Sequence, residues 1–224
     1  MTSVFQHALG DDFDRLHPHL RRRFAVDGEP DLGCVGTGTM DRVWRGGAFT
    51  GPFLRLGSLR HILFPETGRQ IPFTIENYAY TDTYGRPTLT FVRTFQVTPH
   101  RRRRFDATMV WSARRGVLVD YLGTHQHLAV DLHLSVDAAG GLTIRSGVQR
   151  FPNGLPCPAA LTGEARVREW YDDRTDRFRI EVRVTNRRFG PLFGYEGGFT
   201  VDYVPSHRTP VPAAVRPLRE NPRE

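Results

Sequence analysis

The sequence contains no lysine; all 31 of its basic residues are arginines. That absence excludes a Schiff-base mechanism and any lysine acting as base or nucleophile. It also changes how the charge is read. A formal net charge of +7 and a pI near 10.1 would ordinarily point to nucleic acid or an anionic surface. A chain without lysine carries the mark of high-GC codon usage, which raises arginine everywhere, so the charge is weak support for a nucleic-acid partner. Cysteine is scarce too. Cys34 and Cys157 have no metal-ligand spacing and read as free thiols of a cytoplasmic protein. No run approaches the roughly 18 apolar residues of a membrane span, and the start, "MTSVFQHALGDDFDRLH", lacks the apolar core of a secretory signal. The expectation is cytoplasmic localisation with no membrane partner.

Catalytic signatures are missing as well. Ser58, Ser112, Ser135 and Ser146 stand in no G-x-S-x-G string, and neither cysteine has catalytic flanks. "GCVGTGTMDRVWRGG" carries Gly33, Gly36 and Gly38, but no G-x-G-x-x-G and no following amphipathic helix, so a bent strand is the better reading. No cofactor is implied.

Aromatic residues are present in strength: 15 Phe and 7 Tyr in a chain that is 39% hydrophobic. They suit pleated, half-buried surfaces. A length of 224 residues fits one domain. Residues 9–26 read as helical, with Phe13, Leu16, Leu20 and Phe24 on one stripe and a break at Pro18, which belongs in the first turn of a second short helix. Arg21, Arg22 and Arg23 then read as a solvated face. Residues 53–64 are apolar and fit helix or strand. From Ile71 the pattern is β, with strands expected at 71–81, 87–98, 104–112, 116–122, 126–136, 141–151, 163–171, 177–186 and 193–204, separated by turn signals such as Tyr84-Gly85 and Gly190-Pro191. In 177–186, Phe178, Ile180, Val182 and Val184 alternate with Arg179, Glu181, Arg183 and Thr185, as a half-exposed strand requires. Short connections imply an antiparallel meander, and nine or so strands curl into a barrel. The fold class is therefore mainly β, a barrel or strongly curled sheet with short N-terminal helices in a single domain over 1–204. The Pro/Arg-rich tail, 205–224, reads as extended or disordered.

Several strings, "GTGTMDRVWRG", "FPETGRQIPFTIENYAYTD", "FVRTF", "VDYLGTHQHLAVDL", "SGVQRF" and "GPLFGY", together resemble a bacterial family, domain of unknown function 4166. The resemblance covers most of residues 9–204. It implies an actinobacterial setting, since members occur there alone and also fused behind saccharopine-dehydrogenase-like domains. It implies no established activity or catalytic residues. The fusion partner hints at small-molecule metabolism, but this chain lacks it, so no NAD(P) site follows.

Four constellations could carry chemistry. In the first, a two-residue hairpin loop at Tyr84-Gly85 would set Glu76 across from Arg93 on a face shared with Tyr78, Tyr80, Phe91 and Phe95. That is an aromatic wall with one ion pair, suited to a ligand pocket; equally, the pair could be structural. A one-residue bulge at the glycine would instead send Glu76 and Arg93 to opposite faces. The second is "THQHLAVDLH". As one strand it places His125, His127, Asp131 and His133 on one face, a weak metal-ligand pattern that also suits a histidine acting as acid or base; no metal is expected. In the third, "RFGPLFGYEGGF", Tyr195 shares a face with Phe193, Phe199 and Val201, and Glu196 takes the other. The fourth, "HRRRRF" at 100–105, could grip phosphate but reads better as a solvated turn.

The functional expectation is a β-barrel that binds a small, partly apolar molecule carrying an acidic or carbonyl group. Arg93 would orient that group and Glu76, His125 or His127 would move a proton; Tyr78, Tyr80, Phe91, Phe95 and Tyr195 would line the pocket. A cofactor-independent isomerase, cyclase or lyase of specialised metabolism fits such a site. The alternatives are a non-enzymatic interaction module with a filled barrel, and a metal-dependent enzyme built on His125 and His127. The residues admit an enzyme and a binder alike.

Overall fold

Alternation of apolar and polar side chains recurs around a complete circle of strands. The computed structural model describes residues 2–26, 32–158, 162–205 and 211–222. Ten antiparallel strands close into a barrel in the order β1-β10-β9-β8-β7-β6-β5-β4-β3-β2. They are β1 (Leu32–Arg45), β2 (Gly68–Thr81), β3 (Pro87–Thr98), β4 (Arg101–Ser112), β5 (Val117–Leu122), β6 (Leu128–Val136), β7 (Leu142–Arg150), β8 (Glu164–Asp172), β9 (Arg177–Asn186) and β10 (Gly190–Pro205). All nine expected strands are there. The tenth is β1, the glycine-bearing segment, which pairs with both β2 and β10.

Closure needs those glycines. Gly36 faces Ile75 and the Phe199 ring so closely that a Cβ would meet them at 2.5 and 2.8 Å. A Cβ on Gly38 would lie 2.1 Å from the Gly198 carbonyl oxygen. The space thus left is taken by aromatic rings: Phe73, Phe95, Tyr195 and Phe199 pack against one another inside. Outside, Arg179, Glu181 and Arg183 alternate with buried Phe178, Ile180 and Val182. An apolar lumen within a polar wall is the reverse of a membrane-spanning barrel. No described helix is long and apolar enough to cross a membrane.

The N-terminal segment plugs one end. Helix α1 (Val4–Leu9) starts at a capping box between Ser3 and Gln6. A 3-10 stretch, Gly10–Arg15, leads into α2 (Pro18–Phe24), with Pro18 in its first turn and His17 as its cap. Phe5 packs on Phe24 and Phe91, with ring centroids 4.4 and 5.9 Å apart. The arginine run is not uniformly solvated. Arg23 points into the barrel and is 2% exposed. It donates to Glu169 at 2.6 Å and to Asn77 at 3.0 Å and lies against the rings of Phe24 and Phe199. Helical periodicity puts Arg23 beside Phe24 on the inward side, and a waiting carboxylate makes its burial tolerable.

The opposite end is capped by residues 46–64, which include α3 (Gly51–Ser58). Phe64 wedges between Phe95 and Phe193. The cap is tied to the wall by the Asp106 N–H donating to the His61 carbonyl and the Thr124 N–H donating to that of Arg60. The basic run 101–104 is strand rather than turn: Arg101 and Arg103 pair with Glu66, and Arg104 with Asp106.

One turn decides the register of β2 against β3. The loop has three residues, Thr83–Gly85, not two. The Gly85 N–H donates to the Asp82 carbonyl with Gly85 at φ 77°, and Asp82 Oδ1 accepts from the N–H groups of Tyr84 and Arg86. The added residue slides the pairing by one, so Val92 faces Glu76 and Arg93 faces Ile75. Glu76 therefore goes to the outer wall and Arg93 to the lumen, which overturns the expected Glu76–Arg93 pair.

The tail is held. Residues 211–222 run over the outside of β2 and β3, with Val215 against Tyr78 and Val92. Glu220 accepts from the Tyr80 hydroxyl and the Thr83 N–H, the Asn221 carbonyl accepts from Arg86, and the Asn221 N–H donates to Gln126. The expected looseness fails because isolated polar anchors, invisible to a search for apolar periodicity, fix an extended segment; residues 206–210 and 223–224 lie outside the described residues.

Truncation after residue 210 should lower Tm by about 5 °C or more, since 1 kcal/mol shifts a chain of this size by about 2–4 °C; an unchanged melt would show that the tail is not anchored. Removing one partner of the buried pair should cost more. Arg23→Ala should reduce stability by about 3–5 kcal/mol, while combined Arg23→Met and Glu169→Leu should cost much less, as read in denaturant unfolding of each variant.

Candidate ligand cavity

The inner wall is not filled. A cavity of about 530 Å³ runs from Phe24 at the plug to Phe49, Phe53 and Phe189 at the cap. This is the size range of small-molecule sites. Its lining is chiefly apolar and comes from almost every strand: Ile75, Phe91, Phe105, Met109, Leu122, Val130, Ile144, Val167, Ile180 and Val182. Thr50, Ser146, Gln149 and Asn186 add neutral polar groups, and four ionisable residues interrupt it: Arg93 on β3, Asp120 on β5, Glu169 on β8 and Tyr195 on β10. Each sits at an inward position of its strand, so the alternation that builds the core also aims these groups at the lumen.

Their environments differ. Glu169 is engaged by Arg23, with 1% and 4% of the two side chains exposed. Burial pushes its carboxyl up, and Arg23 and Arg93 pull it back. Arg93 is 8% exposed and lies against the Phe105 and Phe91 rings, 4.3 and 5.6 Å from their centroids. It forms no ion pair among the described residues, and its Nη1 has no hydrogen-bond partner. Asp120 is buried with Oδ1 unpartnered. Burial drives its pKa up to about 7, against the opposing pull of Arg93. The Tyr195 hydroxyl is buried and unpartnered as well; burial raises its pKa, and Arg93 again acts to lower it. Arg93 is the charge that all three neighbours sense.

A buried polar atom without a partner is costly. Three of them, a guanidinium nitrogen, a carboxyl oxygen and a phenol hydroxyl, face one apolar chamber. They comprise two donors and a group that can hold or release a proton near neutral pH, which is the equipment for binding and polarising one oxygen-bearing group.

The structure brings Phe91, Arg93 and Tyr195 together at this cavity. Phe95 is fully buried on the same wall but packs into the aromatic cluster with Phe64, Phe73 and Tyr195 instead of lining the space. Glu76, Tyr78 and Tyr80 lie outside, a consequence of the three-residue turn. Burial raises the carboxyl pKa of Glu76, with Arg104 and Asp106 as the charges it senses. Tyr78 packs under Val215, and the Tyr80 phenol, pushed up by burial and by Glu220, belongs to the tail anchor. His125 and His127 are in the connection before β6, with rings 5.2 Å apart and His125 Nδ1 2.9 Å from Thr124 Oγ1. The single-strand reading of that segment fails because Gly123, at φ 83°, turns the chain and β6 starts only at Leu128. Asp131 is held by Arg115 and Arg150, and His133 is exposed. Among the described residues no group of three or more His, Cys, Asp or Glu could hold a metal ion.

Asp120, Glu169 and Arg23 escaped the sequence reading. The signal for Asp120 was available: "GVLVDYLG" holds one carboxylate inside an apolar strand, as "FVRTF" holds one arginine.

Fold and site define a class: a closed ten-stranded antiparallel barrel around an apolar cavity seeded with an arginine, a carboxyl and a phenol. The chain belongs to the family described as Domain of unknown function (DUF4166), whose match spans residues 16–199. It is similar to "Uncharacterized protein YndH" of Bacillus subtilis (strain 168), at 33% identity over 202 residues, covering 89% of this chain and 97% of that one. No solved structure matches it.

Asp120 makes stability depend on pH. Its unfolded carboxyl loses its proton near pH 4, the folded one near 7. Between these values the native state holds the additional proton, so the contribution of Asp120 is fully present below about pH 4 and declines as pH rises to 7. Asp120→Asn should therefore melt about 5 °C above the native protein at pH 8, with the gap closing toward pH 5. Parallel melting curves at both pH values would contradict the burial of this carboxyl.

Proposed function

We propose that the protein binds one small, partly apolar molecule inside the barrel, with a carboxylate or carbonyl group set against Arg93 and Tyr195 and its apolar body reaching toward the cap. The observation that carries this reading is the convergence of three buried, unpartnered polar atoms, Arg93 Nη1, Asp120 Oδ1 and Tyr195 Oη, on one largely apolar cavity. Without a bound polar group, each is desolvated with no hydrogen bond in return. An interaction module with a filled barrel would have apolar side chains at these positions.

The same groups support a cofactor-independent isomerase, cyclase or lyase. Asp120, poised near pH 7, takes or gives the proton that was expected of Glu76 or a histidine. Arg93 and Tyr195 donate to the oxygen on which negative charge develops as a carbonyl compound is enolised. Proton transfer needs a base whose pKa lies near the working pH, and burial supplies that condition.

Binding can be read with a fluorescent polyene fatty acid and the corresponding alcohol as probes. Arg93→Met should weaken the acid tenfold or more, about 1.4 kcal/mol, and leave the alcohol within a factor of two. Equal affinity of the native protein and the variant for the acid would remove Arg93 from the head-group site; failure of both probes to bind would remove the cavity as a site for such molecules.

A further inference from the structure

We infer that the cap end of the barrel docks on an anionic lipid bilayer, the source from which the cavity takes its ligand. The inference rests on the cavity being a ligand site. It starts from α3, which is apolar on two sides. Leu54 points inward and is 4% exposed, whereas Phe53, Leu56 and Leu59 project outward at 68%, 68% and 73%. Phe49 and Phe189, in tilted ring contact at 5.7 Å, are about half exposed beside them. Isolated exposed apolar residues are ordinary, but a cluster around one opening marks a contact surface. Phe49, Phe53 and Phe189 also line the cavity, so this surface is continuous with its mouth.

The charge around the mouth selects the partner. Arg55, Arg60 and Arg188 are exposed here and form no ion pair among the described residues. In the described connections at this end (46–67, 99–100, 123–127, 151–158, 162–163 and 187–189), Glu66 is the sole acidic residue, and Arg101 and Arg103 already neutralise it. The opposite end mixes signs, with Asp82, Asp137, Asp173 and Asp176 in its turns. Large apolar side chains interleaved with unpaired arginines are what an interfacial segment uses, the rings and leucines entering the head-group boundary and the guanidiniums meeting anionic lipid. A helix of eight residues can lie in that boundary but cannot span it. The ligand gives the contact a purpose: a largely apolar molecule partitions into lipid, and a mouth placed on the bilayer lets it enter the barrel without crossing water.

Co-sedimentation with phosphatidylglycerol–phosphatidylcholine vesicles tests this, with pure phosphatidylcholine vesicles as the neutral comparison. The protein should sediment with the anionic vesicles and at least tenfold more weakly with neutral ones. Leu56→Ser combined with Leu59→Ser, two positions that do not line the cavity, should lose tenfold or more in vesicle affinity with an unchanged melt. Arg55→Gln with Arg60→Gln, or 0.5 M salt, should weaken it severalfold. Arg93→Met should sediment like the native protein, so failure of the head-group site and failure of the surface are read separately. Native protein that ignores anionic vesicles, or a leucine variant that binds them undiminished, overturns the inference. A native dimer that becomes monomeric on Leu56→Ser/Leu59→Ser and binds no vesicles assigns the face to a second copy of the chain and overturns it too.

Discussion

Pairing of β1 with β10, from Leu32 against Pro205 to Arg45 against Phe193, is the contact on which the rest of the molecule depends. It turns a meander with two open edges into a wall with none, and a wall without edges leaves each strand residue only two destinations, lumen or solvent. The glycines make it possible. Gly36 and Gly38 let β1 approach β10 and leave room for Phe199 and its neighbours, so the segment that reads as a bent strand becomes the seam of the barrel. Once the seam is closed, alternation decides which side chains line the cavity.

The two buried arginines of the lumen show how one constraint has two outcomes. Arg23 enters with α2 and meets Glu169 and Asn77, so its charge is matched inside the fold. Arg93 enters with β3 and meets aromatic faces instead, while Asp120, an acid that senses it, holds its proton to about pH 7. The first arrangement joins the plug to the barrel wall. The second leaves polarity directed into open space, and it distinguishes an unmatched arginine from a structural pair in a way that burial alone does not.

The two ends of the barrel are treated differently. The plug closes its end with Phe5 and Phe24 and a satisfied ion pair. The cap covers the other end with a short helix that shows leucine and phenylalanine to both sides. The tail belongs to neither; it binds the outer wall through Glu220 and Asn221 and covers the face that carries Glu76, Tyr78 and Tyr80. Those aromatic residues, which look like a pocket wall in one dimension, are the floor of the tail's groove.

Period-two patterning was legible because it is local: β3 and β9 begin and end at the residues where the alternation does, and the inward set Phe178, Ile180, Val182 and Val184 follows directly from it. The break at Pro18 was legible for the same reason, since a proline fixes its own φ whatever surrounds it. Which face is inside was not local. In the β2–β3 hairpin it turned on one residue at Gly85, and since side chains alternate with a period of two, that residue exchanged Glu76 for Ile75 as the partner of Arg93. The inward turn of Arg23 and the anchoring of the tail both depend on partners 50 or more residues away, such as Asn77, Glu169 and Tyr80. The sequence by itself determined that this chain makes an antiparallel meander curling into a barrel or strongly curled sheet, with an arginine on an inward face of the strand at 87–98, because alternation and turn chemistry act over a few residues. Only the tertiary structure decided that Arg93 shares its chamber with Asp120 and Tyr195, because strands far apart in the chain become neighbours across a lumen only when the barrel closes.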